Sequence, residues 1–105
     1  MPVLTISMTK EFARILQKIR AEHQYRQEDL AKRIGAFREV VSGWESGRRN
    51  PSRRYLERLA QRLPEYSAEL YVSARMLPRQ LDYELKSNLV MALERYATSN
   101  TSPTK

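Results

Sequence analysis

Between Arg38 and Gly43 the chain reads REVVSG. At helical spacing its polar members turn one way, Arg38, Glu39, Ser42 and Gly43, while Val41 and Trp44, three residues apart, turn the other. Such a face makes hydrogen bonds to a partner and does not make or break covalent bonds. The Arg38 guanidinium can donate two parallel hydrogen bonds to guanine O6 and N7; Glu39 either accepts from cytosine N4 or holds Arg38 in place; Ser42 offers a hydroxyl one turn later. Gly43 matters for its missing side chain, because glycine inside a helix costs on the order of 1 kcal/mol relative to alanine. It marks either a close approach of backbone to DNA or neutral tolerance on a short helix. Other cations stand where a helix dipole disfavours them: Arg26 just before one helix, Arg53 and Arg54 in the first turn of another. A phosphate would answer these charges, although Arg26 can equally swing into water.

The rest of the inventory excludes most other chemistry. There is no cysteine, the single histidine, His23, is remote from any paired carboxylates, and no glycine-rich phosphate loop is present. The expectation is a non-enzyme with no metal and no cofactor, and His23 reads as a surface residue compatible with a helix C-terminus. Absence of cysteine also fits a cytoplasmic protein. The segment MPVLTISM has no basic flank and nowhere do eighteen apolar residues run together, so a secreted or membrane-spanning chain is not expected. At 105 residues and 41 % hydrophobic content, the chain fits one small domain with an extension. The net charge of +7 is uneven: residues 1–62 hold 14 Lys/Arg against 7 Asp/Glu, and residues 63–105 hold 5 against 5. The basic part suits a polyanion and the neutral part suits packing or a protein partner.

Elements must position these residues, and the hydrophobic spacing supplies them. Residues 27–34 form a helix with Leu30, Ala31 and Ile34 inward, ended by Gly35; a second helix runs from Arg38 to about residue 46 and is closed by Gly47. A brace at 10–23, with Thr9 as N-cap, carries the stripe Phe12, Ile15, Leu16 and Ile19. Its opposite side, Lys10, Arg14, Lys18 and Arg20, is either solvated or near phosphates. Residues 1–8 read as a frayed end, or as an arm using Val3, Leu4 and Ile6. Pro51 and Ser52 start a helix over 53–63 with Tyr55, Leu56, Leu59, Ala60 and Leu63 inward. Pro64 breaks it, and helices over 67–77 and 79–96 follow. On the last, Leu81, Leu85, Leu89, Leu93 and Tyr96 make a long stripe that reads as a dimer interface, the alternative being a helix folded back on its own domain. Residues 98–105 read as a disordered tail. The division is 1–64 for the motif-bearing domain, 65–97 for a two-helix extension and 98–105 for the tail.

One set of spacings goes further than composition. The pattern Gln27-Glu28-x-Leu30-Ala31, Ile34-Gly35, Val41-Ser42-x-Trp44-Glu45-x-Gly47, Asn50-Pro51-Ser52 and Leu56-x-x-Leu59-Ala60 resembles the lambda-repressor-like helix-turn-helix family, also called Xre- or Cro-like. The resemblance covers roughly residues 10–63. It implies a compact all-α DNA-binding domain whose second motif helix enters the major groove. It implies further that Gln27 holds the DNA backbone and braces the reading helix, and that Arg48, Arg49 and Asn50 contact phosphates. Two positions depart from the family: Arg26 and Phe37 stand where a capping Ser or Thr is usual. Phe37 cannot cap, and either packs under the turn or lays its ring on a thymine methyl or sugar. With the stripe on the last helix, the resemblance implies a homodimeric transcriptional regulator, a repressor of a pseudo-palindromic operator, associated with the nucleoid. The alternative is an antitoxin or adaptor whose C-terminal helices bind a protein.

Overall fold

A long helix, α1 (Val3–His23), runs along one side of the molecule. The computed structural model describes residues 3–100, with side chains described for residues 10–95. Helix α1 begins well before Thr9, which lies inside it and is not its cap. No glycine or proline interrupts residues 3–23, so nothing local stops the helix from continuing toward Val3. The side chains of Val3, Leu4 and Ile6 lie outside the described residues.

Two short helices follow, α2 (Gln27–Ile34) and α3 (Arg38–Glu45). The turn between them depends on Gly35, which sits at φ 69, ψ 42, a left-handed conformation that would strain a side chain. There the amide of Ala36 donates to the carbonyl of Ala31 at 2.8 Å, closing α2. Ser52 caps α4 (Arg53–Arg62), its hydroxyl accepting from the Tyr55 amide at 3.3 Å. A single 3-10 turn, Pro64–Tyr66, leads directly into α5 (Ser67–Ala74).

Helix α5 stops one turn before Pro78, earlier than the proline alone suggests. Arg75 adopts φ 60, ψ 40, and the Met76 amide donates to Tyr71 at 3.1 Å, a closure normally assigned to glycine. The last helix, α6 (Tyr83–Asn100), starts later than residue 79 because Asp82 is the stronger start signal. Its carboxylate accepts from the Leu85 amide at 2.8 Å. Leu81 therefore lies before the helix, and residues 98–100, expected in the tail, continue it. Residues 101–105 lie outside the described residues.

One buried cluster joins all the helices: Phe12, Leu16 and Ile19 of α1, Leu30 and Ile34 of α2, Trp44 of α3, Leu56 of α4, Leu70 of α5 and Leu89 of α6. Helix α3 is flanked by α1 and α2, while α5 packs against α1, α4 and α6. The presumed dimer stripe is divided by this arrangement. Leu89 is 6 % exposed and belongs to the chain's own core, with Ala92 buried and Leu85 half-buried nearby, whereas Leu93, Val90 and Met91 face out. The cause is geometric: each i+4 step overshoots a full turn by about 40°, so leucines four apart wind around the helix instead of staying on one line. The side chain of Tyr96 lies outside the described residues.

Candidate nucleic-acid interface

Helix α3 is held from behind by apolar packing and by one acid. Val41 is fully buried and Trp44 nearly so. The indole meets Phe12 of α1 edge-on at 5.9 Å between centroids and Tyr55 of α4 at 5.5 Å, which anchors α3 against both helices. Glu45, the last residue of α3, has a side chain only 6 % exposed. Arg20 of α1 grips it twice, Nε donating to Oε2 at 2.6 Å and Nη2 to Oε1 at 2.8 Å, and Gln27 Nε2 of α2 donates to Oε1 at 3.1 Å. That hydrogen bonding holds the Arg20 guanidinium above its usual arginine value. Three helices thus converge on one carboxylate at the end of α3.

The opposite side of α3 faces outward. Arg38 and Glu39 are exposed and pair loosely at 4.0 Å, an interaction of at most about 1 kcal/mol that leaves the guanidinium free to re-aim. Ser42 is half-buried on the same side. Gly43 is not part of an open face. It is buried, and a Cβ built there would meet Cδ and Cγ of Arg49 at 2.9 and 3.2 Å, so the close approach is made by the chain's own arginine stem. Phe37 does not pack under the turn either: it is 75 % exposed, while its neighbours Ala36 and Val40 pack against the core. Arg49, Asn50 and Arg54 are exposed, and Arg48, also exposed, donates through Nε to the Ser46 hydroxyl at 2.9 Å. These residues continue the surface beyond the end of α3.

The helix-turn-helix family model, of the lambda-repressor or Xre type, matches residues 16–70. The chain belongs to this family. It is a DNA-binding regulator of transcription. Comparison with curated proteins and with solved structures gave no match. No helix among the described residues is long and apolar enough to cross a membrane.

Several cations of this helix-turn-helix regulator already have partners within the chain, Arg26, Arg53 and Arg20 among them. Arg26 lies 3.1 Å from Glu28 and 3.2 Å from Asp29, and the Asp29 carboxylate also accepts from the Arg26 amide at 2.8 Å. Asp29 thus satisfies the amide of the residue that precedes α2, and that amide, together with the Arg26 guanidinium, holds the Asp29 carboxyl below its usual range. Arg53 turns toward the C-terminal elements, donating to the Leu77 carbonyl at 2.9 Å and approaching Glu57 at 3.7 Å. Arg20, expected on a solvated or phosphate-facing side, is committed to Glu45. Gln27 braces α3 through Glu45.

Sequence reasoning had given no role to Glu45 or to Arg58. Glu45 stands at the negative end of a helix, an unfavourable site for an acid, and that misplacement was the available signal for a buried cationic partner. Arg58 donates to the Gly35 carbonyl at 3.0 Å and stacks over Tyr55 with its guanidinium 5.5 Å from the ring centre, tying α4 to the motif turn.

Proposed function

We propose that this regulator is a homodimeric repressor whose two α3 helices read a pseudo-palindromic operator, half-sites about one duplex turn apart on the same face. The observation that carries the reading is the division of α3 into a locked back, Trp44 and Glu45, and an exposed polar front, Arg38 and Glu39. Arg38 reads a guanine, with Glu39 and Ser42 setting the neighbouring choices. Arg48, Arg49, Asn50 and Arg54 contact phosphates and set register and much of the affinity; Arg26 and Arg53 join them where their intramolecular pairs exchange for phosphate. Gly43 serves by letting the Arg49 stem lie flat across α3. One short helix spans only a few base pairs, which is why a second copy is needed. Leu93, Val90 and Met91 supply the exposed apolar face for that copy.

The same exposed face of α6 favours one second reading, an antitoxin or adaptor in which a partner protein covers α6 and DNA binding is autoregulatory. Selection of bound sequences from random DNA, with the mass of the free protein measured in parallel, separates the two. A two-fold symmetric site and a dimer mass are expected. A monomer that selects no preferred sequence would overturn the repressor reading.

A further inference from the structure

We infer that Phe37 is a specificity-determining residue, its ring resting on the 5-methyl group of a thymine next to the base pair read by Arg38. The inference rests on α3 being the groove-facing helix and adds an apolar element to a face otherwise made of hydrogen-bonding groups.

The position is unfavourable for stability twice over. Phe37 is the residue before the first turn of α3, where a serine, threonine or aspartate side chain would accept an orphan amide, and no side-chain hydrogen bond caps this helix. Packing does not account for it either, since Phe37 is 75 % exposed, whereas the chain's other phenylalanine, Phe12, is 1 % exposed. Neither the helix nor the core accounts for an aromatic ring here.

Its surroundings indicate what does. The ring leaves the backbone immediately before Arg38, and the Arg58 guanidinium sits on the Gly35 carbonyl two residues earlier. The other exposed large hydrophobic residues among those described, from Leu77 to Leu93, all belong to the C-terminal elements. Phe37 is the one exposed large apolar side chain among the described residues of the helix-turn-helix, and it stands at the start of α3 next in sequence to Arg38. A partner matching that contact is polyanionic and presents a small apolar group among its charges. On duplex DNA the thymine methyl, standing in the major groove between phosphate-lined walls, is that group.

The test uses the full chain and the duplex that it selects from random DNA. Thymines of each half-site are replaced one at a time by deoxyuridine, which removes the methyl and leaves base pairing intact. One replacement per half-site, adjacent to the base pair whose preference Arg38→Ala relaxes, is expected to weaken the wild-type protein about 3- to 10-fold. Phe37→Ala is expected to weaken binding to the thymine duplex by a similar factor and to be indifferent to that replacement, while Phe37→Leu retains part of the discrimination. Equal loss by Phe37→Ala on thymine and uracil duplexes would overturn the inference, as would a selected half-site with no thymine beside the Arg38 base pair. If the wild-type chain selects no sequence at all, the groove-facing reading of α3 falls and takes this inference with it. If Arg38→Ala relaxes a base and Phe37→Ala changes nothing, only the role of Phe37 falls.

Discussion

Glu45 shows how much of the reading helix is decided by one side chain. Its carboxylate holds Arg20 and Gln27 at once, so Glu45→Ala leaves two donors without their acceptor. The arginine side chain is 26 % exposed and recovers some hydration, so the expected loss in urea unfolding is about 2–3 kcal/mol. A loss below about 0.5 kcal/mol would mean that the network holds nothing. Tyr66 gives a second test at this scale. Its hydroxyl donates to Glu22, and that hydrogen bond, then burial, push its pKa from 10.0 up to about 12. A raised value means stability that is whole below pH 10 and is lost as pH climbs toward 12. Absorbance titration of the six tyrosines should show a late step that Tyr66→Phe removes; a titration unchanged by the substitution contradicts the contact. At the residue scale the sequence was most legible where periodicity decides, as for Trp44, and least legible where a partner decides. Arg20 and Lys18 look alike in sequence, yet one grips Glu45 on α3 and the other Glu69 on α5, because only the fold says which acid each can reach.

Among the elements, α2 and α3 ended where local chemistry said they would, and α5 and α6 did not. Gly35 is a closure that any chain would need there, and its φ of 69 makes the cost of a side chain predictable. Gly35→Ala should lose about 1–2 kcal/mol, although the added methyl has room, its nearest neighbour being Arg58 Nη1 at 3.6 Å. Gly43→Ala should move the other way. The atoms nearest the new methyl belong to the side chain of the exposed Arg49, which can swing aside, and the helix gains up to about 1 kcal/mol of propensity. Thermal unfolding of the pair decides it: shifts of the same sign would contradict the distinction between a conformational and a packing glycine. The ends of α5 and α6 were obscured because Pro78 is a conspicuous breaker, yet Arg75 closes one helix before it and Asp82 opens the other after it. Both signals are weaker in sequence than a proline and stronger in the fold.

For the molecule as a whole, charge separates the two halves, but the in-chain partners refine that picture. The basic excess of residues 1–62 was plain from composition; which cations stay free was not, since Arg53 and Arg54 are adjacent and only Arg53 turns back to Glu57 and Leu77. Arg54→Ala should therefore flatten the dependence of DNA affinity on salt by nearly one phosphate per protomer, a change in log–log slope of about 1.8 for the dimer. Arg53→Ala should lower stability more than it changes that slope. Equal slopes for wild type and Arg54→Ala would remove Arg54 from the interface. The stripe on α6 misled for a reason of the same scale, since the core claimed Leu89 and left Val90, Met91 and Leu93 outside. The central claim, that the front of α3 reads bases while its back is locked, is tested most directly by Arg38→Ala. Its affinity should be measured on the selected duplex and on every single-base variant of one half-site. The account predicts that discrimination worth roughly 1–3 kcal/mol disappears at one base pair and persists at the others; an equal loss on every sequence would contradict it.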